Sequence, residues 1–265
     1  METIVRLVVL GSRGSIPVSG PDFVVYGGST TSFALVVDGR VVGFIDAGTG
    51  VVSWGDFGLS VAPSIDMFMT HYHWDHIQGL SMLDLVWSDE CEITIHGPDD
   101  PQIALTPVIA PPWFPVSLVD APFLRFEPLV GPLELSGMMI TPFGVEHPQG
   151  AVGYRIDGPS SSVAIVTDHE AGSEMDETVI DAIRGVEVLI HDGQYQPDEI
   201  ETHQGWGHST WEDAVAAALS SGANRLILTS LDPRRTDKEV DILVHTARRR
   251  FHATEAAYPG LSVSL

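Results

Sequence analysis

At 265 residues and 44% apolar, the chain is long enough to bury one substantial core, and no apolar run approaches the ~20 residues that cross a bilayer. Thirteen Lys and Arg stand against 36 Asp and Glu, for a net charge of −23, and Lys238 is the only lysine. Such a surface repels polyanions at long range, which argues against a long RNA or DNA partner but not against a small anionic ligand. Cys91 is the only cysteine and no basic-then-apolar leader opens the sequence, so the expectation is a cytoplasmic protein without disulfides.

In chain order, Ile4 to Leu10 reads as a strand ended by the turn Gly11-Ser12-Arg13-Gly14-Ser15, whose backbone N–H groups could cradle a phosphate. Tyr26 to Ser32 is a small polar loop that either lines a pocket with hydroxyls or only joins strands. Phe33–Asp38 and Arg40–Ile45 form a hairpin about Asp38-Gly39. Asp46 follows at the strand end, where an Asp suits a helix cap. Ser64 to Met69 is a buried strand, and Ile77 to Val86 carries apolar residues at helical spacing.

Between them lies Thr70-His71-Tyr72-His73-Trp74-Asp75-His76, with four metal-capable side chains in six residues. His71 and His73 share one face of an extended backbone, while Asp75 and His76 follow as the chain turns. That spacing suits two adjacent metals better than one closed structural site, and imidazole with carboxylate is a donor set for Zn²⁺, Mn²⁺ or Fe. Residues 97–135 are rich in proline and read as an insertion. Its apolar stretch Ala110 to Val116 would pack over a pocket as a lid or onto a second subunit, so a homodimer is an expectation. Met138 to Val145 is a strand ending in Glu146-His147-Pro148. Ser162 to Thr167 is another, leading to Asp168, and Val186 to Ile190 a third, leading to His191-Asp192. His208-Ser209-Thr210 opens a helix from Thr210 to Ser220. Arg225 to Leu231 is a strand, Thr236 to Phe251 an amphipathic helix with Arg248-Arg249-Arg250 at its end, and Leu261 to Leu265 a closing strand.

His71-x-His73-x-Asp75-His76 resembles the signature of the metallo-β-lactamase superfamily of binuclear metallohydrolases. The chain is most similar to the branch holding ribonuclease Z and small phosphodiesterases that open cyclic phosphates. The resemblance implies one domain over residues 1–265 with an α/β fold: an αββα four-layer sandwich of two mixed β-sheets flanked by helices. It implies that Asp46 orients the metal-ligating loop, that His71, His73, His147 and Asp168 hold one metal, and that Asp75, His76 and Asp168 hold a second. It further implies that Asp192 orients His208 as the catalytic histidine, with Asp75 helping to place a metal-bound hydroxide that attacks phosphorus. Zn²⁺ is the implied ion at both sites.

The chain departs from the family at Ser230, where members place a metal-binding His. A hydroxyl is a poor zinc ligand, so three outcomes stand open: water or Asp232 fills the gap, the second site is weak, or one metal binds; a harder ion such as Mn²⁺ is then favoured. The functional expectation is a metal-dependent phosphodiesterase acting on a small cyclic nucleotide or other cyclic phosphodiester. Its rivals are a ribonuclease Z-like RNA endonuclease, a β-lactamase or thioester hydrolase, and a degenerate single-metal member that binds a ligand with little turnover.

Overall fold

Two seven-stranded mixed sheets face each other in the computed structural model, which describes residues 3–265. The first half of the chain runs through β1 (Val5–Gly11), β2 (Ser32–Val37), β3 (Arg40–Ile45) and β4 (Ser60–Phe68). It continues through α1 (Trp74–Ile77), α2 (Asp84–Trp87), β5 (Glu92–Gly97), α3 (Pro101–Leu105) and β6 (Leu124–Pro128). The second half runs through β7 (Leu133–Leu135), β8 (Met138–Val145), β9 (Ala151–Asp157), β10 (Ser162–Val166), α4 (Asp176–Ala182) and β11 (Val188–Asp192). After it come α5 (Trp211–Ser221), β12 (Arg225–Thr229), α6 (Asp237–Arg248), β13 (Thr254–Ala256) and β14 (Ser262–Ser264). The sheet orders are β14-β1-β2-β3-β4-β5-β6 and β13-β12-β11-β10-β9-β8-β7. Within each sheet three antiparallel pairings give way to three parallel ones.

Alternation along the strands divides the core into layers. Leu7, Phe33, Leu35, Ile45 and Phe68 of one sheet meet Ile140, Tyr154, Ile156, Ile165 and Ile190 of the other. Val8, Phe44 and Met67 pack outward with Leu80, Leu85 and Leu105, while Ala164, Leu189 and Leu226 pack outward with Val179, Trp211, Val215 and Leu243. The result is the expected helix–sheet–sheet–helix sandwich. The hairpin at Asp38-Gly39 closes with φ of 49° and 79°, the left-handed pair that a two-residue turn between twisted strands requires. Among the described residues no helix is long and apolar enough to cross a membrane.

Ile77 to Val86 is not one helix. After α1 the chain tightens into a 3₁₀ segment (Gln78–Met82) before α2. Its backbone bonds are diverted to the neighbouring loop: Ala47 N–H donates to His76 O at 2.7 Å and Gly79 N–H to Ala47 O at 2.8 Å. The proline-rich region is also more regular than expected. It supplies α3, the edge strand β6, parallel to β5 from Ile93↔Leu124 to Gly97↔Pro128, and the short strand β7. Ile109 and Leu118 anchor the irregular part in the core, and Phe114 stacks on Trp87 with ring centroids 6.0 Å apart.

Candidate metal centre

The segments carrying the chemistry leave both sheets at one edge. The loop after β4 carries His71, His73, Asp75 and His76. His147 follows β8, Asp168 follows β10, Asp192 ends β11, and Ser230 follows β12. His208 enters just before α5, whose first turn is fixed by a reciprocal cap between Thr210 and Asp213. Three groups place one ligand atom per residue within 4.8 Å of each other: His71, His73 and His147; His71, His76 and Asp168; and Asp168, Asp192 and His208. Seven of the eight predicted site residues fall in these groups, with His71 common to the first two and Asp168 to the last two, and Asp75 joins them through His76 Nε2, 3.3 Å from its Oδ2.

Each imidazole is held from behind. His76 Nδ1 donates to Asp46 Oδ2 at 2.7 Å, and the same carboxylate accepts from Thr70 N at 2.8 Å. Asp46 thus carries the orienting role expected of it, and it does so from a left-handed residue (φ 55°), not as a helix cap. His147 Nδ1 donates to Gly207 O at 2.8 Å, and His73 Nε2 donates to Gln149 Oε1 at 2.9 Å. Thr70 Oγ1 donates to Asp46 Oδ2 at 2.9 Å and so accepts from His71 Nδ1 at 3.0 Å. These outer bonds turn the second nitrogen of each of these four imidazoles toward the centre, where a bound cation would take the place of a proton. His71 Nε2 and His76 Nε2 are buried there without a hydrogen-bond partner. His73 Nδ1 and His147 Nε2 lie 3.0 Å apart, lone pair toward lone pair.

Asp168 stands among them, with Oδ1 3.4 Å from His76 Nε2 and Oδ2 3.7 Å from His71 Nε2 and 3.8 Å from His147 Nε2. Burial opposes its ionisation, but His76 and His208 outweigh it and hold Asp168 well below the usual carboxylate range. Burial, with His76 alongside, pushes His71 well down, so it is neutral. Imidazole nitrogens converging on an ionised carboxylate, two of them buried without a hydrogen-bond partner, are a donor set that fits divalent cations.

His208 faces the same carboxylate, its Nε2 3.9 Å from Asp168 Oδ2, and its Nδ1 donates to Asp192 Oδ2 at 2.8 Å. Burial alone would lower its pKa, but Asp192 and Asp168 push it up to about 9. The glycine turn serves the centre differently from expectation: Ser15 N–H donates to Asp75 Oδ2 at 2.7 Å, so it grips a protein carboxylate instead of a phosphate. The polar loop before β2 joins strands, with Thr30 bonded to Thr49 and Ser32 Oγ to Asp46 O. Ser230 Oγ donates to Thr167 O at 3.0 Å and lies 3.3 Å from Asp168 Oδ1. Asp232 does not fill the missing ligand's place, because both its oxygens are engaged by Arg234.

Two supports carry no local signature. Glu170 accepts from Gly205 N and Gly207 N, each at 2.8 Å, and so fixes the loop that presents His208. Gly207 has φ 83°, and a Cβ there would sit 2.0 Å from His147 Nδ1, so only glycine allows that approach. A cavity of about 430 Å³ opens over the centre, lined by Ser15, Tyr72, His73, Trp74, Asp75, His147, Asp168, Trp206 and His208. It contains no Lys or Arg. None of its lining residues falls in 97–135, and that segment touches the lining through Pro98 O, which accepts from Tyr72 Oη at 2.6 Å.

Residues 44–229 match the model of the beta-lactamase superfamily domain. The chain belongs to that superfamily. Ribonuclease BN of Salmonella gallinarum is 25% identical over 248 residues, covering 72% of this chain and 78% of that protein. Ribonuclease Z of Methanothermobacter thermautotrophicus is 36% identical over 81 residues, 31% of this chain and only 26% of that protein's length. The chain thus spans about a quarter of that relative. A diphosphatase of the PhnP family has the same fold, with a TM-score of 0.72 at 19% identity over 98% of both chains. The sandwich and the convergent His and Asp residues are those of the superfamily's fold with a metal-type cluster at one edge, and within it the chain is similar to ribonuclease Z and ribonuclease BN.

Proposed function

We propose that the protein is a metal-dependent phosphodiesterase acting on a small cyclic nucleotide or another cyclic phosphodiester. The observation that carries this reading is the His208–Asp192 pair: a protonated imidazole aimed into a cluster of metal-type ligands. In this reading His71, His73, His147 and Asp168 hold one ion and Asp75, His76 and Asp168 a second, Zn²⁺ at the first. Ser230 leaves the second site short of one imidazole and open to a harder ion such as Mn²⁺. Bound there, the cations supply a water of lowered pKa and neutralise charge on the phosphoryl oxygens.

The chain's own groups do the rest. Ser15 N–H holds Asp75 Oδ2, leaving Oδ1 free to orient the attacking water and accept its proton. As the water oxygen bonds to phosphorus and the ester P–O bond breaks, His208 Nε2–H donates to the phosphoryl or leaving oxygen. Asp192 keeps His208 charged and fixes which nitrogen faces the substrate. The product is a phosphomonoester.

Ribonuclease names among the relatives favour an RNA substrate as a second reading. The net charge of −23 and a pocket without Lys or Arg weigh against it. The test is phosphomonoester release from cyclic AMP and cyclic GMP with Zn²⁺ or Mn²⁺, beside cleavage of a tRNA precursor near physiological salt. His208→Ala is expected to lower kcat by about 10²- to 10⁴-fold. No turnover of any cyclic or linear diester with any divalent ion would sink the proposal.

A further inference from the structure

We infer that Trp74 and Trp206 form an aromatic clamp for a nucleobase, so that the substrate is a nucleoside-bearing phosphodiester; this rests on the phosphodiesterase reading above. Both indoles line the same cavity as His73, Asp75, His147 and His208. They are 58% and 61% exposed, so both indoles are free to meet a ligand in that cavity.

Neither indole hangs on a loose segment. Trp74 begins α1 directly between His73 and Asp75, so the ligand loop fixes its position. Trp206 lies between Gly205 and Gly207, whose N–H groups are both gripped by Glu170. His203 packs edge-on against Trp206, with ring centroids 5.0 Å apart and planes at 82°. The backbone that carries each indole is therefore set before ligand arrives, which lowers the ordering cost of binding.

The chemistry of the pocket narrows the occupant. With no Lys or Arg in the lining, the cationic groups that a diester's anion can engage are the ion centre and His208. Anything that distinguishes one diester from another must then come from the rest of the ligand. A sugar offers no π-face to an indole, whereas every nucleobase does, and stacking on aromatic side chains grips bases with little regard to identity.

The test compares AMP with ribose 5-phosphate by calorimetry on the metal-loaded protein. AMP is expected to bind about 5- to 150-fold more tightly, and Trp74→Ala and Trp206→Ala each to remove a large part of that preference. The exposed positions leave folding intact, and Trp206→Phe is expected to keep most of the preference. Equal affinity for the two ligands, or AMP affinity unchanged in both alanine variants, overturns the clamp. Hydrolysis of bis(p-nitrophenyl) phosphate by the unaltered protein, read alongside, separates the two claims. Turnover without an AMP preference removes the clamp and leaves the phosphodiesterase; a tryptophan-dependent AMP preference without turnover supports the clamp and removes the phosphodiesterase.

Discussion

The side-chain oxygen of Gln149 accepts the Nε2–H of His73 at 2.9 Å, and that bond turns the Nδ1 lone pair of His73 onto His147. Gln149 is exposed and buries nothing, so its contribution is orientation alone. Gln149→Ala is expected to weaken metal binding by about 10- to 100-fold while leaving the melting temperature of the metal-free protein nearly unchanged. Titration against a chelator of known affinity measures it, and an unaltered affinity would refute the orienting role.

Glu170 acts on the other side of the cavity by holding two backbone N–H groups of the loop before His208. Glu170→Ala is expected to lower kcat/KM by roughly 10-fold, equivalent to about 1.4 kcal/mol of transition-state stabilisation. Metal content should fall less than kcat/KM, since Glu170 reaches His147 only through Gly207, whose carbonyl accepts from His147 Nδ1. A loss of metal as large as the loss of activity would mean that the loop serves His147 more than His208.

Ser230 occupies a left-handed conformation, φ 52°, that histidine adopts more readily than most residues. Ser230→His is expected to raise the ion content per chain toward two and to tighten the weaker site, as measured by inductively coupled plasma mass spectrometry. No gain in bound metal would show that the buried position next to Asp168 has no room for the ring.

His191 lies one residue before Asp192, fully buried, with Nδ1 donating to Asp192 O at 2.9 Å. Burial, reinforced by His169 nearby, pushes its pKa down to about 4. The unfolded chain takes up a proton at the ordinary value near 6.5, and the native chain does so only near 4. Stability from this residue is therefore complete above about pH 6.5 and falls as the pH drops toward 4. The loss from pH 8 to pH 5 is about 2 kcal/mol. His191→Gln is expected to flatten that part of the stability curve in urea unfolding; an equally steep acid limb would assign the loss to other groups.

The clustered His and Asp residues were legible because they fall at a few strand ends, and His71-x-His73-x-Asp75-His76 can be read without knowing its neighbours. Their supports were not. Gln149 lies 76 residues from His73 and Glu170 lies 35 residues from Gly205, so no local pattern joins either pair. Only the hairpin strands Phe33–Asp38 and Arg40–Ile45 declare themselves by alternation. The edge strands β6, β7 and β13 are short, β6 and β7 partly exposed, and owe their extension to pairing with a neighbour. The split of Ile77 to Val86 has a similar origin, since apolar spacing cannot foresee that Gly79 will bond to Ala47. The turn at Ser15 shows the limit of motif reading: its free N–H groups were foreseen, the acceptor was not.

His71, His73, Asp75 and His76 hang from the first sheet, and His147, Asp168, Asp192 and His208 from the second. Neither half of the sandwich owns a complete donor set. A cation held between them is thus also a clasp across the seam, which unfolding must open and which gains strength with the logarithm of free ion concentration. Stripping the ion then removes chemistry and cohesion together, at the edge where the substrate enters.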